Sequence, residues 1–425
     1  MKKITFLALA VVLFCIVSFY ARALPPANLS IQSIRVAGQP VLVFDHVRDR
    51  QGPYYMPDGQ VTAWKNADGT VNLMLPCFED YRMRGPDLEH LTLDPHKIFS
   101  STQSANDIVE NHYNYHHWFT APYTFNGQTI YVLTHSEWYA CLLNGDCKIG
   151  KNHINSWANT NNLFESTDGG ATWSANGINQ THLVAEAGNH WTGSQELALK
   201  VYQQALNHSG IMLPSRLIKE GNYYYAVGFL VHRNFGSLNL QTGQAPIDKR
   251  GFVLIRTKDI TRAAGWEAWV GDGTFEPISN GTFNIFLPER NGRPHNISEA
   301  QIVFDMKSKT YILVYCNTGG GGNSNPGPVY YMTTKSLARP SWSQEAVISG
   351  SDTFQPDPRG PGGLNTCNTG FVAGNYVSVL DTYSPGMNFE YTNGNLWLFY
   401  VVNADRCGGR NLDRDLYRVR LSIQY

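Results

Sequence analysis

The chain has 425 residues, 42% of them hydrophobic, which is ample for a large core in one or two domains. Charged residues make up only 16% and the formal net charge is −1, which argues against a nucleic-acid or anionic-membrane partner held by bulk electrostatics. The 39 Gly, 23 Tyr, 20 Phe and 10 Trp fit an all-β protein of many short strands and tight turns.

Lys2 and Lys3 precede an apolar run to about Phe19, and Ala21-Arg-Ala23 has the small-residue pattern of a signal-peptide cleavage site. Residues 1–23 are therefore expected to be an export signal, and 24–425 a single secreted or periplasmic domain, with no membrane role beyond export. Cys15 lies in the signal; Cys77, Cys141, Cys147, Cys316, Cys367 and Cys407 remain. An even number in an oxidising compartment is expected to form disulfides, with Cys141–Cys147 the shortest loop and Cys367–Cys407 a second plausible pair. No Cys-x-x-Cys spacing points to a metal site.

Pro40-Val-Leu-Val-Phe44 reads as a strand without a local partner, a candidate to close the last unit of a ring. Five hairpins follow. Their turns fall at Asn66-Ala-Asp-Gly69, Asn126-Gly127, Glu220-Gly-Asn222, Lys307-Ser-Lys309 and Asn393-Gly394, each between two apolar, β-rich runs. Each hairpin is followed by a further strand, among them Gly251–Ile260, Val329–Leu337 and Asp415–Leu421. The spacing of the units is uneven and longer than the roughly 40–50 residues of compact propeller repeats. Glu186–Asn207 could be a short helix, since Leu197, Val201 and Leu206 fall loosely on one face. Five matched units predict an all-β, five-bladed β-propeller. The alternatives are six or seven blades, or a β-sandwich.

After the second hairpin comes Ser166-Thr-Asp-Gly-Gly-Ala-Thr-Trp173, which resembles the Asp-box of the sialidase-like (BNR) β-propeller superfamily. That resemblance implies a propeller fold, with the Asp and Ser side chains pinning a turn on the outer edge of a blade. Sialidase activity would further need three arginines and a Tyr/Glu pair. Arg216, Arg233 and Arg256 are the candidates, but they do not fall on matching positions.

In a propeller the inner strands converge on an axis, so residues far apart in sequence meet at one mouth. Near the inner-strand starts lie Asp58, His116-His117, Ser215-Arg216, Ser298-Glu299 and Asp381. Just past the second strands lie Glu79-Asp80, His135 and Glu137, His232-Arg233, Asn317, and Asn403 with Asp405. The set resembles that of arabinanase- and xylosidase-type five-bladed glycoside hydrolases. The resemblance implies Asp58 as base and Glu299 as acid, with Asp381 or Asp80 assisting. That chemistry needs one carboxyl ionised and another protonated. His117, His135, Glu137, Arg216, His232 and Arg233 are expected to bind the poly- or oligosaccharide.

A lyase acting on uronates through His, Tyr and Arg, and a glycan-binding propeller without catalysis, remain open as alternatives. The chain is expected to work as a monomer without a cofactor. A Ca²⁺ ion could sit at the channel, although no acidic loop demands one.

Overall fold

The computed structural model describes residues 29–52, 55–77, 79–100, 116–139, 157–175, 182–185, 209–234, 237, 239, 241, 246–288, 299–316, 328–351, 373–403 and 414–425. The expected signal, the expected 186–207 helix and four of the six cysteines lie outside them. The described residues are almost entirely strands, with one short 3₁₀ turn at Ile278–Asn280.

Five antiparallel meanders follow one another. The first runs Thr62–Lys65, Val71–Leu75 and Glu79–Gly85; the second His117–Thr124, Ile130–Tyr139 and Trp157–Ser166. The third is Ile218–Glu220, Tyr223–Arg233 and Ile247–Thr257, and the fourth Ala300–Asp305, Thr310–Cys316 and Val329–Thr334. The fifth is Ala373–Asp381, Leu396–Asn403 and Arg414–Gln424. The hairpin turns are built as their sequences require. Gly69, Gly127, Gly221 and Gly394 all have positive φ, and a Cβ on Gly127 would meet the Ala67 backbone nitrogen at 2.2 Å.

The meanders close into a ring because each buries both faces against its neighbours. One apolar core joins the first and second units around Trp64, Phe119 and Phe164, and another joins the second and third around Leu133, Ala226 and Ile255. The third and fourth share Val227, Phe252 and Leu313; the fourth and fifth share Ile312, Val379 and Leu398. The fifth then packs on the first through Leu380, Phe399, Ala63 and Leu73, so among the described residues each unit shares a core with the next. Val41–Phe44 and Ser33–Val36 both pair with Arg414–Gln424, so the N-terminal segment completes the last unit as expected. An open meander would leave that edge unpaired.

The Ser166–Trp173 turn has the expected hydrogen bonds. Asp168 accepts from the Ala171 and Thr172 amides and the Thr172 hydroxyl, and the Ser166 hydroxyl accepts from the Gly170 amide. Burial pulls the Asp168 carboxyl upward, but these donors outweigh it and hold it at about 2. Trp173 packs edge-on to Phe119 and Trp64 in the wedge between the first two units.

The axis is closed at one end by the segment 382–395, which connects the first two strands of the fifth unit. It bonds to every other unit. Lys65 donates to the Ser384 carbonyl, Asn388 exchanges two hydrogen bonds with the Thr124 backbone, and Glu390 accepts from the Lys219 amide. Tyr391–Thr392 pairs in parallel with Phe304 and Asp305.

Above it, Arg216 crosses the axis. It is 2% exposed and donates to Gln301 Oε1 of the fourth unit and to the Phe389 and Val379 carbonyls of the fifth. Burial pushes its guanidinium down to about 9, against the charge of Glu390. Arg216→Met would leave those acceptors buried and unpaired. It should cost about 3 kcal/mol or more in urea unfolding; a loss under about 1 kcal/mol would contradict this keystone role.

Burial also lifts Glu390 to about 7, opposed by the Lys219 amide, the Tyr123 hydroxyl and Arg216. The folded value lies above the ordinary 4.5, so between about pH 4.5 and 7 the native state binds the proton more tightly than the unfolded chain. Its contribution is therefore complete below about pH 4.5 and lost as pH rises through about 7. Glu390→Gln should gain stability relative to wild type across that window. A constant difference between their urea midpoints would contradict this.

Candidate active site

The strand registers separate two ends of the ring. At one end each inner strand starts, each second strand ends and each third strand begins, as Tyr139 opposite Trp157 and Asn403 opposite Arg414 show. This end is the mouth. The other end carries the hairpin turns and the 382–395 segment.

Asp58 lies just before the inner strand of the first unit, its amide bonded to the Pro76 carbonyl at 2.8 Å. Its Oδ1 accepts from the Tyr376 hydroxyl at 2.9 Å and from Arg414 Nη1, both of the fifth unit. The Arg414 guanidinium lies 5.4 Å from the centre of the Tyr376 ring. Burial pushes Arg414 down to about 10. Tyr376 is the hub of the mouth. Burial raises its phenol well above the usual tyrosine range, and the charges of Glu299 and Glu137 raise it further, followed by Cys77 and Cys316.

Asp58 thus touches the Tyr376 hydroxyl directly, while the charges of Glu137 and Glu299, from two further units, act on it from a distance. Glu299 is 3% exposed and accepts a weak hydrogen bond from the Cys316 thiol, with Sγ 3.7 Å from Oε2. Burial and the Glu299 charge hold that thiol well above its ordinary value. Glu137 Oε1 lies 3.1 Å from His135 Nε2, and the Trp118 ring packs 5.1 Å from the His135 ring. Asp58, His135, Glu137 and Glu299 thus lie at the same end of the ring.

Other expected site residues are placed elsewhere. Asp381 ends its inner strand and lies at the closed end, opposite to the mouth. Its carboxylate accepts from the Tyr383, Asn393 and Asn395 amides and the Thr392 hydroxyl, so it pins the axial segment instead of assisting catalysis. Arg216 is enclosed on the axis, with three of its five N–H groups directed at Gln301 and the Phe389 and Val379 carbonyls, so it is not presented to a sugar. His117 is fully buried, its ring packed on Phe164 and Phe99 between the first two units and its Nδ1 3.2 Å from Thr134 Oγ1.

Asp80 is fully buried as well and accepts from the Cys77 and Phe119 amides, tying the first unit to the second; burial raises its carboxyl well above the usual range, against those two bonds. His232 and half-buried Arg233 end the second strand of the third unit, so they lie at the mouth end, where His232 is held by Asp248. Arg256 pairs with Glu267 and stacks on Phe275 and Tyr223 in the outer sheet, so no sialidase-type arginine triad forms from these residues. Asn317 and Asp405 lie outside the described residues. Cys77 and Cys316 are buried and not joined in a disulfide, contrary to expectation; Cys141–Cys147 and Cys367–Cys407 fall outside the described residues.

One group of possible metal ligands occurs among the described residues, Asp45, His46 and Asp415, with donor atoms within 4.8 Å of one another. His46 Nδ1 meets Asp415 Oδ1 at 2.7 Å, and Asp45 Oδ1 takes the Val47 and Arg48 amides.

No family model and no curated protein matches the sequence. Solved structures do. The chain is similar to the catalytic domain of a GH62 α-L-arabinofuranosidase from Coprinopsis cinerea at 11% identity and a TM-score of 0.46, covering 92% of this chain and 98% of that one. A protein of unknown function from Dyadobacter fermentans gives 11% identity and a TM-score of 0.45 over 93% and 100% of the two chains. A thermostable family-43 glycoside hydrolase gives 10% and 0.45 over 86% and 92%. Likeness at this level bears on neither the reaction nor its residues, which rest on the geometry above.

The two aspartates have opposite predicted sensitivities. Asp381→Asn should lose about 2 kcal/mol of stability while kcat/KM on any substrate stays within about twofold of wild type. A large loss of kcat/KM with unchanged stability would return Asp381 to the active site.

Proposed function

We propose that the protein is a glycoside hydrolase acting, after export, on a poly- or oligosaccharide at the mouth. The observation that carries this reading is the convergence of Asp58, Glu137 and Glu299, from three different units, around Tyr376. Hydrolysis of a glycosidic bond needs a carboxylate that takes a proton from water and a carboxylic acid that gives one to the leaving oxygen.

Asp58 suits the first role. Two donors on one oxygen, one of them a guanidinium, favour its ionised form. Glu299 suits the second, being almost enclosed and placed beside the neutral Cys316 thiol. Water would add to the anomeric carbon as its proton passes to Asp58, while the Glu299 proton passes to the departing oxygen. Solvent then returns the proton from Asp58 to Glu299. Negative charge from Glu137 would stabilise the oxocarbenium-like transition state.

The lyase reading loses an expected residue, because the His117 ring is locked between two units. Screening the purified protein against polysaccharides, with analysis of the products, tests the assignment. Asp58→Asn and Glu299→Gln should each lower kcat by about 100-fold or more on a natural glycan. An aryl glycoside with an acidic phenol as leaving group needs little protonation, so it should rescue Glu299→Gln and leave Asp58→Asn slow. Wild-type rates in both variants would remove the pair.

A further inference from the structure

The two oxygens of Asp58 are not equivalent. Oδ1 accepts both the Tyr376 hydroxyl and Arg414 Nη1, whereas Oδ2 has no hydrogen bond among the described residues, and the side chain is 14% exposed. We propose that Tyr376 and Arg414 are positioning residues that clamp Oδ1, leaving Oδ2 as the oxygen that takes the proton from water. The assignment rests on the hydrolase reading.

The local backbone supports it. Tyr376 has φ +53, a left-handed conformation uncommon for a bulky side chain, and the register of its strand shifts on either side, between Ala373 and Asn375 and between Asn375 and Ser378. A bulge re-aims the side chain it carries, and here the re-aimed hydroxyl ends on Asp58. Strain of this kind persists where the surrounding structure over-determines it. Arg414 comes from the third strand of the same unit, opposite Asn403, so both arms of the clamp belong to one rigid sheet while the base belongs to the next unit. A carboxylate held by one oxygen cannot rotate to exchange its two oxygens, which keeps a single lone-pair direction on the substrate.

The charged and titratable groups facing this cluster are Arg414, Glu299, Glu137, Cys77 and Cys316. Burial first, then the two glutamates and the two thiols, raise the Tyr376 phenol, so it stays a donor throughout the working pH range. Both arms of the clamp favour ionised Asp58. Weakening either one raises the pKa of the base, and the acid limb of kcat/KM moves to higher pH.

The test is the pH profile of kcat/KM for wild type, Tyr376→Phe, Arg414→Lys and Asp58→Asn, using the full chain and p-nitrophenyl arabinofuranoside or xyloside, whichever the wild type cleaves. Tyr376→Phe should lower kcat about tenfold with KM unchanged and raise the acid limb by about one pH unit. Arg414→Lys should shift the limb in the same direction. Should Tyr376→Phe fail to fold, the Arg414→Lys profile decides alone. An unshifted limb in a folded variant, or a raised KM with kcat kept, overturns the clamp. If Asp58→Asn is slow but the clamp variants behave as wild type, only the clamp falls. Full activity of Asp58→Asn overturns the assignment of Asp58 as base and the clamp with it.

Discussion

Arg216 reaches from the third unit across the axis to carbonyls of the fifth, and Glu390 of the fifth reaches back to the second and third. These contacts set the radius of the ring at its closed end. Apolar cores between neighbours would tolerate some sliding, because dispersion and hydrophobic attraction are non-directional. The buried guanidinium and carboxyl would not. Each of their bonds has a direction, and each one broken leaves a group with no water to replace it.

That rigidity matters at the other end. A site assembled from four units is only as precise as the relation between them, and misplacement of about 1 Å can cost about two orders of magnitude in rate. Asp58 and the clamp that holds it sit on neighbouring sheets joined by the core around Leu380, Phe399, Ala63 and Leu73. Glu299 begins an inner strand whose other end pairs with Tyr391–Thr392 of the axial segment. The mouth is therefore referenced to the same plug by several routes.

The hairpins were legible in the sequence because turn chemistry is local: Asn126-Gly127 and Asn393-Gly394 need no knowledge of distant partners. Asp58, Glu137 and Glu299 were legible because they follow or precede strands at a consistent end. Asp381 was misread for the same reason. The inner strand of its unit starts at Ala373, earlier than the apolar run that begins at Val377, so a residue at the strand's end was taken for one at its start. Arg216 and His117 have the right strand position, but which way their side chains point depends on the unit next door. Tyr376 left a fainter trace, a tyrosine among small and polar residues ahead of the apolar run. Its left-handed backbone and its bond to Asp58 exist only once the fifth unit meets the first.

The account turns on water being added across a glycosidic bond at this mouth. Digesting a panel of neutral and uronate-containing polysaccharides in water enriched with heavy oxygen, and weighing the products, tests it most directly. Hydrolysis predicts saturated products that carry one heavy oxygen at each newly formed reducing end. Unsaturated, unlabelled products would contradict it, as would intact polysaccharides throughout the panel.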